Sequence, residues 1–174
     1  ESTKTYVGGF VGGYGDTKVT ISDSAITNAK LISTNENNQL VSGFIGNGWG
    51  ATGHKVLNSF TDGSVHPVSA TTDEESFNKI AAPTLFVKVY TSAEKNFDVK
   101  GITYLTDDQM KGENAKTYMS GLNVDFIWET VENDYPRINL RLEDSNNPDN
   151  PDNPDEPGNP NAPAGIWDGT IAES

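Results

Sequence analysis

Short apolar segments alternate with glycine-rich and polar turns along the first third of the chain, and this pattern occurs twice. Residues 7–15 (VGGFVGGYG) return as residues 41–50 (VSGFIGNGWG), which places equivalent residues 34 positions apart. After a one-residue insertion, residues 21–25 match residues 56–60 at an offset of 35. A repeat of this length is typical of architectures in which successive units stack on one another.

The residue types within the repeat predict strands and exclude helical repeats of similar length. Each Gly in a helix interior costs about 1 kcal/mol relative to Ala, and five of the nine residues 7–15 are glycine. The other four are β-branched or aromatic, the types that favour strands. We therefore predict an all-β fold, a parallel β-helix or β-solenoid, with Phe10 on Phe44 and Val11 beside Ile45 in adjacent coils. The structural residues of the repeat are predicted to be Gly9, Phe10, Gly12, Gly43, Phe44 and Gly46.

The pattern changes after residue 67 and predicts a small mixed α/β region that caps the solenoid. Residues 72–75 have the spacing of a helix capping box, and residues 84–90 predict a strand with Leu85, Val87 and Val89 on one face. Residues 97–105 are expected to pair with this strand across a short turn. Trp128 and Tyr135 are predicted to lie in the core because apolar residues surround them in sequence.

The domain organisation follows from these changes in composition. We predict repeat coils of an N-terminally truncated array over residues 1–67 and the capping region over residues 68–142. Residues 143–163 contain three successive Asn-Pro-Asp triplets and predict an acidic, extended linker, since such a segment cannot bury a core. Residues 164–174 return to apolar and aromatic residues and predict the start of a further, truncated module.

Composition and charge exclude several classes of function. The formal net charge of -13 argues against a nucleic-acid partner, and the absence of Cys excludes a Cys-ligated zinc. No apolar run reaches the roughly 20 residues of a membrane helix, so no membrane insertion is expected. His54 and His66 are expected at the surface or in turns. We predict no catalytic residues, no metal ligands and no cofactor, since no Gly-x-Ser-x-Gly elbow accompanies the many Ser and Asp residues.

Two aromatic residues are the candidates for binding. Tyr14 and Trp49 occupy equivalent positions directly after the paired glycines of each repeat. If the turns project outward, the two rings stack and form a platform for sugar rings or a protein partner. The alternative is that they shield the turn or fill the core.

The glycine blocks GGFVGG and SGFIGN, each followed by a polar segment ending in Asp-Ser or Asn-Ser, resemble GLUG-motif repeats. The segments 104–110 and 126–137 are similar to the closing region after such arrays. This resemblance implies an exported, extracellular or cell-surface bacterial protein that is adhesin-like and not an enzyme. The expected role is a stalk or adhesive module for a host or dietary glycan or a surface protein. An accessory repeat region of a surface hydrolase and a purely structural spacer remain as alternatives.

Overall fold

The computed structural model describes residues 5–12, 17–32, 39–46 and 52–139. The chain divides into two compact units, Glu1–Asn139 and Leu140–Ser174, and everything below concerns the first. The predicted acidic linker over residues 143–163 and the predicted final segment over residues 164–174 lie outside the described residues.

The two repeats pair with each other in the register that the sequence predicts. Strands β1 (Thr5–Gly8) and β4 (Gln39–Ser42) form a parallel pair in which Val7 faces Val41. The pairing continues past the strands, where Val11 and Ile45 form a parallel bridge. The rings of Phe10 and Phe44 stack with centroids 6.0 Å apart. The predicted register of Phe10 with Phe44 and of Val11 with Ile45 is therefore confirmed.

A second, larger sheet continues the same stacking with every neighbouring pair parallel. Strands β2 (Thr20–Ser22) and β3 (Ala25–Ile26) both pair with β5 (His54–Thr61). Beyond β5 the sheet adds β6 (Thr84–Thr91) and then β7 (Ile102–Tyr104). The predicted strand after Pro83 is confirmed. Residues of the predicted partner segment do pair with it, as β7. The predicted hairpin is wrong, because β7 runs parallel to β6 and not antiparallel.

Each rung of this sheet bends at one residue in the left-handed region. Asp23, Asn58 and Lys88 have φ angles of 48°, 46° and 54°, and they occupy corresponding places between the paired residues of β2 and β3, of β5 and of β6. The bend interrupts the alternation of inward and outward side chains. Leu85 and Val87 consequently face solvent while Val89 is buried, so the prediction that these three share one face is wrong.

The connection between β5 and β6 contains the helix α1 (Glu74–Ala81) instead of a third glycine-rich coil. The Asp73 side chain caps it by accepting a hydrogen bond from the Ser76 backbone N–H, one residue later than the predicted capping box. Phe77 and Ile80 face the first core. That core joins residues from the repeats, α1 and β6: Ile21, Phe44, Ile45, Val56, Val68, Phe77, Ile80, Phe86 and Val89. No helix among the described residues is long and apolar enough to span a bilayer.

The C-terminal part of the unit packs on the opposite face of the sheet and forms a second core. It consists of a 3-10 turn (Asp108–Met110), α2 (Asn114–Tyr118), another 3-10 turn (Ser120–Leu122) and the antiparallel hairpin β8 (Trp128–Val131) and β9 (Asp134–Ile138). The sheet contributes Phe60 and Tyr90 to this core, and the hairpin contributes Trp128 and Tyr135. The prediction that Trp128 and Tyr135 are core residues is confirmed.

The predicted fold class, an all-β parallel β-helix or β-solenoid with a small cap, is wrong. The structure combines parallel sheets, an antiparallel hairpin and short helices, and no closed solenoid forms among the described residues. The physical reason is that the glycine-rich pattern ends after its second copy. The following residues favour helices instead, since Asp73 caps α1 and Thr106 exchanges hydrogen bonds with Gln109 at the start of the first 3-10 turn.

Candidate functional site

The predicted structural glycines lie where the two repeats approach each other most closely. A Cβ added to Gly9 would stand 2.1 Å from the carbonyl oxygen of Gly43, and one added to Gly46 would stand 2.6 Å from that of Gly12. A Cβ on Gly43 would stand 3.0 Å from a Thr61 methyl group. Gly9 and Gly46 need glycine because a backbone carbonyl of the other repeat passes too close for a side chain, a demand of packing rather than of positive φ. At Gly43 the neighbouring atoms would have to shift by a few tenths of an ångström.

The two aromatic residues predicted to form a binding platform, Tyr14 and Trp49, lie outside the described residues. The nearest described aromatic pair is Phe10 with Phe44. Phe44 is fully buried whereas Phe10 is 49% exposed, so only one ring of this stack meets solvent.

The outer face of the larger sheet divides into a covered half and an open half. Beyond the bend, Phe60 and Tyr90 are covered by the second core. Before the bend, the outward residues of β2, β5 and β6 stay uncovered. Adjacent strands place these residues in two rows across the sheet, Thr20 with Lys55 and Leu85, and Ser22 with Leu57 and Val87. Leu85 is 50% exposed and Val87 is 38% exposed.

A shallow groove of about 450 Å³ runs along the β6 edge of this open half. Leu85 and Val87 provide aliphatic surface on one side, and Val99 and Gly101 of the β6–β7 connection form the other. Gly101 has a φ of 91°, and a Cβ there would stand 1.9 Å from the Phe86 carbonyl oxygen. This close approach fixes the wall of the groove against β6.

Lysine side chains surround the groove. Lys88 and Lys100 line it directly, and Lys55 faces Leu85 on the neighbouring strand. Lys18 lies beside Gly53, the residue before β5, because its side-chain atoms are the nearest to a Cβ placed on Gly53. We call Lys18, Lys55, Lys88 and Lys100 the lysine face.

The lysine face differs from four other basic residues of the unit, which are in ion pairs. Lys95 pairs with Asp98, Lys111 with Asp107, Lys116 with Glu113 and Asp125, and Arg137 with Glu129. Among the described residues, none of the four lysines of the lysine face has a carboxylate within ion-pair distance. Unpaired lysines are therefore concentrated beside the exposed aliphatic surface of a chain whose formal net charge is -13.

A polar network around Asp107 is the strongest cluster of titratable groups. Ser92 Oγ and Tyr135 OH both donate to Asp107 Oδ1, at 2.6 and 2.5 Å, and Lys111 Nζ donates to Oδ2 at 2.9 Å. The hydrogen bonds from Ser92, Tyr135 and Lys111 lower the pKa of Asp107 to about 2. Burial and the hydrogen bond to Asp107 raise the pKa of Tyr135.

This network is suited to joining elements rather than to catalysis. A carboxylate with such a low pKa is a poor general base for the Ser92 hydroxyl, and a Tyr135 phenol with a raised pKa is held neutral. The three hydrogen bonds tie the end of β6 to the first 3-10 turn and to β9. The sequence indicated Tyr135 as core but gave no signal for its bond to Asp107.

Both histidines are buried. The prediction that they lie at the surface or in turns is wrong for His54, which begins β5. His66 does lie in a loop, but its side chain is buried. His54 Nδ1 accepts a hydrogen bond from the Val19 backbone N–H at 3.2 Å, which joins the two repeats. His66 Nδ1 accepts from the N–H groups of Val68 and Ser69. Burial lowers the pKa of His66 to about 4, although the Glu94 backbone carbonyl raises it by a smaller amount.

A second groove, of about 840 Å³, lies between the start of α2 and the β8–β9 turn. Its lining is polar, with Asp108, Glu113, Glu132 and Lys111 among it. Glu113 is already engaged, since it accepts from Thr130 and pairs with Lys116. Within the described ranges, no three His, Asp or Glu side chains are placed to hold a metal ion.

The lysine face and its groove were missed at the sequence level. A third copy of the bend, aligned 30 residues after the second, would have placed Lys88 at the position of Asp23 and Asn58 and so revealed which residues of β6 face outward.

Comparison of the chain with family models, with curated proteins and with solved structures finds no match.

Proposed function

We propose that the chain is a non-enzymatic segment of a secreted or surface-anchored modular bacterial protein, and that it acts as a stalk or adhesive binding module for a glycan or a protein. The observation that carries the proposal is the residue-by-residue register of the two repeats, from Val7 beside Val41 to Ile21 beside Val56. Repeats whose equivalent residues stack build a rigid body that presents the same type of surface at regular intervals.

Hydrogen bonds between side chains of the second repeat and backbone of the first make this stacking specific. Ser59 Oγ accepts from the Ser24 N–H at 3.1 Å, and Asp62 Oδ2 accepts from the Asn28 N–H at 2.6 Å. Such bonds satisfy buried backbone groups at the turns and hold the rungs together laterally. The use of polar repeat residues for stacking supports a structural and presenting role over a catalytic one.

The similarity of the glycine blocks to GLUG-motif repeats supports the same proposal. It favours a bacterial cell-surface setting. The acidic, proline-rich residues 143–163 are of a composition suited to a spacer between modules.

The experiment is a binding screen combined with a turnover assay on the full chain. The protein is immobilised and exposed to a glycan array and to a panel of extracellular proteins, and each ligand that binds is then incubated with the chain in solution. We expect binding without any cleavage of the ligand. Cleavage that is lost on substitution of a single carboxylate would establish an enzyme instead. The absence of any ligand would leave only the structural spacer.

A further inference from the structure

We propose that the lysine face and the groove beside β6 bind an extended, acidic protein segment in which aliphatic and carboxylate side chains alternate. This inference rests on the proposed adhesive function and names one of its partners by chemistry. The surface is built entirely from described residues, and neither Tyr14 nor Trp49 is among them.

Charge is the first argument. Lys88 and Lys100 line the groove and Lys55 is paired with Leu85 on the neighbouring strand, and none of the three has a carboxylate partner among the described residues. Lys111 and Arg137, by contrast, are in ion pairs. In a chain of formal net charge -13, such a group of unpaired lysines is a local exception to the field of the whole protein. An acidic ligand that reaches this surface meets complementary charge.

The shape and chemistry of the groove favour a peptide over a sugar. Leu85 and Val87 are two residues apart on one strand, so their side chains are about 7 Å apart along it, which is the spacing of alternate side chains in any extended peptide. Aliphatic surface of this kind accepts Leu or Val from a ligand. Sugar rings instead favour exposed aromatic faces, and the aromatic residue that lines the groove, Phe86, is 97% buried.

The conformation of Lys88 is the second argument. Asp23 and Asn58 occupy the left-handed bend of the first two rungs, and Asx residues adopt this conformation at low cost. Lys88 occupies the same bend with a φ of 54°. A long side chain without local hydrogen bonding is disfavoured there, and residues held in such conformations are concentrated at functional positions. We infer that Lys88 is kept in this unfavourable conformation because its charge lies at the groove.

The aliphatic stem of Lys88 is also held in place. A Cβ on Gly121 would stand 2.8 Å from the Lys88 Cγ and Cδ atoms, so the stem lies against the backbone of the second 3-10 turn. The Gly121 N–H in turn donates to Tyr90 OH at 2.9 Å. This packing restricts the Lys88 stem and so limits the side-chain entropy that it loses on binding.

The test uses the full chain and a synthetic peptide of about ten residues in which Asp or Glu alternates with Leu or Val, a length of roughly 33 Å when extended. Its affinity is measured by fluorescence anisotropy at low and at physiological salt. Two comparison ligands are the same peptide with Asn and Gln in place of the acids, and polygalacturonate as an anionic glycan. We expect the acidic peptide to bind, with an affinity that falls as salt rises.

Charge reversal at the site is compared with the same reversal elsewhere. The double variant Lys55→Glu/Lys100→Glu is expected to weaken binding of the acidic peptide by at least about tenfold, since two attractions become repulsions. The control Lys30→Glu/Lys95→Glu has the same net charge but changes lysines that do not line the groove, and it should change the affinity less than about twofold. Melting curves confirm that both variants are folded.

Lys88→Asn gives a result that a merely structural role would not produce. Asn suits the left-handed bend, so this variant should melt about 2 to 4 °C higher than the wild type while binding the acidic peptide more weakly. Loss of affinity together with gained stability is the expected signature.

Several results would overturn the proposal. They are failure of the acidic peptide to bind, equal weakening by the two double variants, and binding of polygalacturonate but not of the peptide. If the peptide fails while the array finds another ligand, the lysine-face proposal is wrong and the adhesive function stands. If no ligand of any class binds, the adhesive function fails as well.

Discussion

Mild acid should destabilise the protein through a single buried side chain, His66. The residue is only 7% exposed, and its ring lies against the rings of Phe77 and Tyr104 at centroid distances of 6.4 and 6.2 Å. Because Nδ1 accepts two backbone hydrogen bonds, Nε2 carries the proton of the neutral ring. A second proton would place a charge in these surroundings.

The magnitude follows from the pKa of His66, which burial lowers from 6.5 to about 4. The unfolded chain then binds the proton more readily than the folded one at any pH below about 6.5. The free energy of unfolding is therefore highest above this value and falls as the pH drops. The loss amounts to about 2 kcal/mol at pH 5 and about 3 kcal/mol at pH 4, and it grows little below that.

The assay is urea unfolding followed by tryptophan fluorescence at pH 7 and at pH 5. The matched control is His66→Asn, whose side-chain oxygen can accept the Val68 and Ser69 N–H groups as Nδ1 does but which does not titrate. We expect this variant to be less stable at pH 7, because it loses ring contacts, and to lose under about 0.5 kcal/mol between pH 7 and pH 5. An equal loss in wild type and variant would refute the reasoning.

Three further predictions test other parts of the structure by thermal or chemical unfolding. Gly9→Ala should cost about 1–3 kcal/mol, since its Cβ would meet a carbonyl oxygen at 2.1 Å, whereas Gly63→Ala should be nearly neutral because its nearest contact is 3.4 Å; similar losses in both would contradict the close approach. Asp107→Asn should lower the free energy of unfolding by about 1 kcal/mol at pH 7. Because the pKa of this exposed carboxyl is about 2, the wild type should lose stability between pH 4 and pH 2 as Asp107 binds a proton, and the variant should lose less over the same range. An unchanged acid transition would count against the network. Alanine at Tyr14 and at Trp49 should leave melting unchanged if both rings form an outward platform, and a loss of about 3–5 kcal/mol would assign either ring to packing.

The sequence was sufficient to predict how the repeats pair but not what surrounds them. Val11 and Ile45 form a parallel bridge. In stacked repeats, parallel pairing places equivalent residues beside each other, so similar side chains pack together. The glycine requirement at Gly9 could be predicted for the same reason. A mixed α/β region was expected after the repeats, and the N-cap of α1 lies one residue later than the predicted capping box places it. The closed β-helix predicted for the repeats does not form among the described residues.

Two kinds of feature were missed at the sequence level. The first is the change of face at Lys88, which alternation within β6 alone cannot reveal, because a lysine by itself does not indicate a left-handed bend; only its alignment with Asp23 and Asn58 would have done so. The second is long-range contact. The burial of His66 depends on Phe77 and Tyr104, which are distant in sequence, and the groove depends on Gly101 folding against β6.

The register of the two repeats is the central claim, and engineered disulfides test it most directly because the chain has no Cys. Thr20 and Lys55 are paired in register on the outer face of the larger sheet, whereas Leu57 is two residues out of register with Thr20. With Cys at positions 20 and 55, we expect efficient oxidation to an intramolecular disulfide, since adjacent strands lie about 4.8 Å apart. With Cys at positions 20 and 57 the distance exceeds the span of a disulfide, and oxidation should be slow. Faster oxidation of the second pair would contradict the register, and with it the stacking on which the proposed function rests.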